Sequence, residues 1–420
     1  MSESLSSPTQ SALPQGSIAE SPPVRYMGTK RLIAPIVGRV IREHCPRTSR
    51  VSDLFAGLGS VTTELASTHS VALNDAQRFT GPLARARFLN SPRSPLERLV
   101  PQLRELFDDA LRELQRIFAD RLCTESAAFI KGIDAVREYL TSAPHVGNFP
   151  EFRRSAAEAD RSEGKEHYRL TTLYFSGGYF STQQSMELDA LRYAIDQFPD
   201  LKDWLLAAWI SAASTIINSP GHTAQYLKPS GPAGFARFSR QWRRSVWHEF
   251  LAKLASIQLV GTHSWRARNT VHHTEDLAAL SDPDLRDVRL VYADPPYTKD
   301  QYSRYYHVYE TMFLYDYPDV EGKGRYRKER FRSPYSLPGQ VLQAFSALLG
   351  KVAESGRFLV LSYPCHGLLS RRGHDLDELL ASYFLISRKI SFPWRYSSLG
   401  AAKGSRFVEA HEQIFFCVPR

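Results

Sequence analysis

Apolar residues recur at Leu103, Leu106, Phe107, Ala110, Leu111, Leu114, Ile117 and Phe118, the three-and-four spacing of one helix face within 95–140. The same periodicity predicts helices over 30–44, 186–198 and 201–217, the last stopped by Asn218-Ser219-Pro220-Gly221. Elsewhere the pattern changes to short, unbroken apolar runs, which read as buried strands. One spans Arg50 to Phe55, ends in Ala56-Gly57-Leu58-Gly59-Ser60 and leads into a helical segment through Ala66. A second, Ser70 to Leu73, runs into Asn74-Asp75. After the long helical stretch come Val288 to Ala293, Phe358 to Leu361, Leu385–Phe392 and Gln413–Val418. There is no internal repeat. A strand-loop-helix-strand start followed much later by more buried strands predicts an α/β fold, a doubly wound Rossmann-like sheet interrupted by a large, mostly helical insert.

The expected organisation is a disordered tail over 1–24, a first core part over 25–92 carrying the glycine loop, the helical insert over 93–264, and a second core part over 265–420. The tail is rich in Ser, Pro and Gln and has no Lys or Arg. At 420 residues, 43% hydrophobic and 23% charged, the chain has a globular composition, which excludes whole-chain disorder. The most apolar run, Leu205 to Ile217, is interrupted by Ser and Thr and is too short for a membrane span. No basic segment leads an apolar core at the N-terminus, so neither a signal peptide nor a membrane partner is expected. Cys45, Cys123, Cys365 and Cys417 lack zinc-type spacing, which points to a reducing cytoplasm and to no metal.

Asp294-Pro295-Pro296-Tyr297, directly after a predicted central strand, is the sharpest signal. One reading is a proline-stiffened turn. The other is chemical. Ligands bind at the carboxyl edge of such sheets, and rigid prolines there fix a carboxylate and a ring. An exocyclic base amine is a weak nucleophile because its lone pair is delocalised into the ring. Asp294 and the Pro295 carbonyl would each accept one of its N–H bonds and aim the lone pair at an electrophilic methyl. Tyr297 would stack on a base taken out of the helix. Phe55-Ala56-Gly57-Leu58-Gly59-Ser60 lets a cofactor approach the backbone, or simply makes a tight strand-to-helix turn. Asp75 suits a ribose hydroxyl or a helix cap. No Lys-Ser/Thr follows the glycines, so a triphosphate loop is excluded. Arg25-Tyr26-Met27-Gly28-Thr29-Lys30 by itself reads as a basic turn opening a helix.

In order, Tyr26-x-Gly28-x-Lys30, Asp53-x-Phe55-x-Gly57-x-Gly59-Ser60, Asp75, a long insert and Asp294-Pro295-Pro296-Tyr297 resemble the Dam-like (alpha-group) adenine-specific DNA methyltransferases. The resemblance covers 25–75 and about 270–305. It implies a methyltransferase sheet and S-adenosylmethionine as cofactor, bound by Tyr26, Lys30, Asp53, Phe55, Gly57, Gly59 and Asp75. Asp276 matches the family's adenine-contacting acid, with Glu275 as the alternative. The tetrad Asp294, Pro295, Pro296 and Tyr297 would be catalytic, and the insert would recognise the target. Double-stranded DNA is the implied partner of a monomeric, nucleoid-associated enzyme, with a restriction or defence system as candidate partner. Competing readings are transfer to a cytosine amine in DNA or an adenine in RNA, a protein-glutamine methyltransferase (whose tetrad begins with Asn), and a DNA-binding protein that no longer catalyses.

Charge changes this picture by its distribution. The net +9 is the sum of +6 on 25–50, +6 on 235–268, +5 on 322–332 and an acidic remainder. Such concentration suits a polyanion track. Arg237, Arg240, Arg243 and Arg244 interleave with Phe238 and Trp242, and Lys323, Arg325 and Arg327 begin a second basic run. These, with Tyr302 and Arg304 after the tetrad, are the candidate DNA contacts; the alternative is a solvated basic face. Pro364-Cys365 has no supporting motif for a cysteine nucleophile, and His272-His273 lacks a third metal ligand at useful spacing.

Overall fold

The computed structural model describes residues 23–25, 30–277, 285–397 and 407–420, with side chains left undescribed for 394–397 and 407–410. Tyr26 and nearly all of the expected tail lie outside the described residues. The fold is mixed α/β around a mostly parallel sheet. Its strands are β1 (Arg50–Asp53), β2 (Ser70–Asn74), β3 (Thr270–His272), β4 (Val288–Ala293), β7 (Phe358–Pro364), β8 (Phe384–Ser397) and β9 (Phe407–Pro419). A small antiparallel ladder pairs β5 (Val320–Glu321) with β6 (Tyr326–Arg327).

The sheet order is β3-β2-β1-β4-β7-β9-β8. The first five strands in that order pair in parallel, and β9 closes antiparallel against both β7 and β8. Alternation along the central strands feeds two cores. Leu290 and Tyr292 of β4, Val360 of β7 and Ile414 and Phe416 of β9 join Val37 and Ile41 of the helix Ala34–His44 on one face. Val291, Ala293, Leu359, Leu361, Phe415 and Cys417 join Phe345 and Leu349 of the helix Val341–Glu354 on the other. Strands buried on both faces read as continuous apolar runs, which is why period two was hidden in the sequence.

Between β2 and β3 the chain is helical. The apolar run noted in the sequence is the helix Lys202–Ile216, buried nearly all round. The helix Thr182–Asp196 starts on a capping box, with Ser181 Oγ accepting from Gln184 N and the Gln184 side chain returning to the Ser181 backbone. These helices share one buried cluster with Phe79 and Leu83 beside β2 and with Tyr306, Val308, Tyr309, Met312 and Tyr315 after the tetrad. Buried Asp189 makes the link polar as well. It accepts from Thr171 N and Thr172 N, each at 2.8 Å, and from the Tyr315 hydroxyl at 2.6 Å. The late strands outrun their expected bounds because β8 and β9 continue pairing with each other past the end of β7, from Pro393–His411 to Ser397–Phe407.

Candidate active site

Chain connections turn to β2 from β1 and to β7 from β4, so a crevice opens between β1 and β4 at their carboxyl ends. Asp53 ends β1 and Asp294 follows β4, which places two carboxylates at that crevice. The cavity there is lined by Lys30, Asp53, Phe55, Gly57, Ser60 and Asp75, and also by the whole tetrad Asp294, Pro295, Pro296 and Tyr297. Motifs 241 positions apart in the chain, Asp53 and Asp294, thus share one wall because their strands are neighbours.

Two glycines shape the loop. Gly57 and Gly59 have φ of 52° and 73°, the left-handed region that L side chains rarely adopt. A Cβ on Gly59 would also run into the Phe88 ring, so this glycine faces the protein interior rather than the cavity. Asp75 accepts from Gly57 N and from Gln77 N, both at 2.8 Å, and so ties the end of β2 to the loop. Burial raises its carboxyl to about 6 against the pull of those two bonds.

Lys30 Nζ lies 2.9 Å from Asp294 Oδ1 and 3.0 Å from Glu412 Oε1. It also sits 5.5 Å from the centre of the Tyr297 ring. Burial is the main force on Asp294 and raises it to about 6, while Lys30 pulls it down and Glu412 pushes it further up. Asp53 is raised to about 8, by burial first and by the Asp294 charge second. One of its oxygens accepts from Thr62 Oγ1 at 3.3 Å; the other, Oδ1, has no hydrogen-bond partner. A buried carboxylate oxygen left open on the cavity wall fits a ligand that brings a donor or a positive charge. Glycine backbone, carboxylates and aromatic walls together suit a nucleoside-containing cation such as S-adenosylmethionine.

Of the remaining candidates, Glu275 lines the cavity, and Asp276 stands beside it close enough to Tyr335 to help raise that phenol. His273 Nδ1, 2.9 Å from the Asp75 carbonyl, and Asn74 Nδ2, 3.3 Å from the Thr274 carbonyl, hold this segment at the end of β2. Tyr302 lines the same cavity. Arg237, Arg240 and Arg243 are exposed on or just beyond the helix Gly231–Trp242, whose Phe238 and Trp242 turn inward. Arg244 is paired with Glu249 at 2.6 Å. Arg304 and Lys323 are exposed. Arg327 is held by both oxygens of Asp316, at 2.6 and 2.7 Å.

Arg325 corrects an expectation. It is 1% exposed, and its guanidinium donates to the carbonyls of Tyr174 and Ser176 at 2.7 and 2.9 Å. Burial pushes its pKa down to about 10. Buried this deeply, the guanidinium cannot reach a phosphate, so its place in a basic run was misleading. Sequence reading also missed Glu412, Phe331, Ser333 and Tyr335. The last three line the cavity, where Gln301 holds Ser333 by donating to its carbonyl at 3.2 Å and accepting from its N at 2.8 Å. No motif marks them. Glu412 carried one faint signal, an acid two residues before the apolar run 414–418.

Among the described residues, no group of three or more His, Cys, Asp or Glu is arranged to hold a metal, and no helix is long and apolar enough to cross a membrane. The family model of the D12 class N6 adenine-specific DNA methyltransferases matches residues 248–341, which include the tetrad. Similar curated proteins include the Type II methyltransferase M.FokI of Planomicrobium okeanokoites, 24% identical over 94% of this chain and 52% of that protein. The modification methylase LlaI of Lactococcus lactis subsp. lactis is 22% identical over 85% of this chain and 48% of its own length. The modification methylase StsI of Streptococcus sanguinis is 21% identical over 94% and 51%. The chain therefore spans about half the length of the curated relatives it matches.

Proposed function

We propose that this chain, a relative of the adenine-specific DNA methyltransferases, transfers a methyl group from S-adenosylmethionine to the N6 amine of adenine in double-stranded DNA. The observation that carries this reading is the meeting of the tetrad and the glycine loop on one cavity at the β1–β4 switch point. Bound S-adenosylmethionine supplies a sulfonium methyl that is already electrophilic. Phe55, the Gly57–Gly59 loop, Asp53 and Asp75 bind that cofactor, with Glu275 and Asp276 as the acids on the same side. Asp294, ionised, and the Pro295 carbonyl accept the two N–H bonds of the target amine, which orients its lone pair. Pro296 keeps the turn rigid, and Tyr297 stacks on the extruded base. No covalent enzyme intermediate is required: the N–CH3 bond forms as the S–CH3 bond breaks, the neutral thioether leaves, and the amine's extra proton passes to solvent.

The helical region over 93–264 is the target-recognition part of this reading, and Arg237, Arg240, Arg243, Arg304 and Lys323 are its phosphate contacts. The relatives are named Type II methyltransferases and modification methylases, which supports a modification role opposite a restriction partner. Expression in a methylation-free host followed by single-molecule sequencing tests the reading. Modified adenines within one motif are expected, and none in the Asp294→Ala variant, which still binds S-adenosylmethionine by calorimetry. Modified cytosines would overturn the adenine assignment. A wild-type protein that binds DNA, takes up no cofactor and leaves no modified base would overturn the enzymatic one.

A further inference from the structure

Glu412 enters the site from β9, the antiparallel strand, and is fully buried. Its Oε1 accepts from Ser362 Oγ at 2.7 Å and from Lys30 Nζ at 3.0 Å, while the same ammonium rests 2.9 Å from Asp294 Oδ1. One lysine therefore bridges two carboxylates contributed by chain segments 382 residues from it in one case and 264 in the other. Asp53, Tyr292, Tyr297 and Tyr302 also face Asp294, and all of them are acids or phenols. Lys30 is thus the cation set against Asp294 among the described residues.

This arrangement raises a difficulty for the function proposed above. Asp294 must offer its oxygen to the target amine, yet in the structure that oxygen holds Lys30. A buried ammonium with a single partner cannot give it up without being left uncompensated, which is strongly unfavourable. With Glu412 already in contact, Lys30 can loosen from Asp294 and keep a counter-charge. We propose that Glu412 is a positioning residue that retains Lys30 while Asp294 exchanges the ammonium for the N–H of the target base. The assignment rests on the methyltransferase reading. It adds that β9, which carries none of the motifs, supplies the group that makes Asp294 available.

The test is a set of variants of the full chain, assayed in steady state on unmethylated DNA carrying the motif that the wild-type chain modifies. Glu412→Gln is expected to lower kcat/KM for DNA at least tenfold, mostly through KM, with S-adenosylmethionine affinity within threefold of wild type. Glu412→Asp is expected to recover part of the loss. In a Lys30→Met background, adding Glu412→Gln should cost nothing further, because the charge it serves is gone. An equal cost in both backgrounds would assign Glu412 a structural role through Ser362 and overturn the proposal, as would a Glu412→Gln variant with wild-type kinetics. If Glu412→Gln does not fold, Glu412→Asp against Lys30→Met/Glu412→Asp carries the same comparison. A wild-type chain that methylates no DNA rejects the parent reading, and this assignment with it.

Discussion

The Lys30 ammonium and the Asp294 carboxylate, 2.9 Å apart, set the charge state of the proposed amine acceptor. Burial alone would keep Asp294 protonated to higher pH; Lys30 opposes it, and the balance lies at about 6. The ionised carboxylate is the stronger acceptor and carries no O–H of its own to compete for the amine's lone pair. Activity should therefore be present above about pH 6 and fall as the pH drops through that value. Lys30→Met removes the opposing charge, so the acid limb of kcat/KM should move to higher pH. A pH–rate profile of both proteins checks the direction.

The backbone carbonyl of Tyr297, whose ring is proposed to stack on the extruded base, accepts from Leu368 N at 2.8 Å and from Arg371 at 3.5 Å. Main-chain bonds thus help hold the loop independently of the ring. Stacking on one base is worth about 1–3 kcal/mol. Tyr297→Phe should stay close to wild type, and Tyr297→Ala should lose roughly ten- to a hundredfold in kcat/KM. Equal loss in both variants would transfer the role to the hydroxyl.

Gly59 combines a φ of 73° with the Phe88 ring behind it. Gly59→Ala meets both the unfavourable backbone and the blocked space, and should destabilise by about 1–3 kcal/mol. Urea unfolding measures it. Adding Phe88→Leu should relieve the contact but not the backbone strain, and so recover part of the loss.

Two arginines from the same composition class should behave in opposite ways. Arg237 is exposed, and Arg237→Ala should leave the melting temperature unchanged while reducing the salt dependence of DNA binding by about 0.9 in log–log slope. Arg325 is buried, and Arg325→Ala strands the Tyr174 carbonyl, at a stability cost of about 1–3 kcal/mol, without changing that slope. Calorimetric melting and salt-titrated binding of the two variants separate them.

How much of this was legible before the fold depended on whether a signal was local. Val288 to Ala293 was bounded correctly because a short apolar run ending in Asp-Pro-Pro has few conformations open to it. The glycine loop and Asp75 were found together because Gly57 and Asp75 are 18 residues apart within one strand-loop-helix-strand unit. By contrast, Arg325 looked like its neighbours in a basic run, and nothing in that run says which residue turns inward at the β5–β6 turn. Gln301 and Ser333 fix each other across 32 residues that carry no motif.

The amino-acid sequence by itself determined the chemistry at hand: an acceptor pair, a ring and a glycine loop, each encoded within a few consecutive residues whose backbone preferences are local. Only the tertiary structure decided which of them meet. Parallel pairing of β1 with β4 puts Asp53 beside Asp294, and antiparallel return of β9 brings Glu412 to Lys30 from the far end of the chain. Strand order follows from burying two apolar faces at once, a constraint summed over the whole sheet, so no short segment could have announced it.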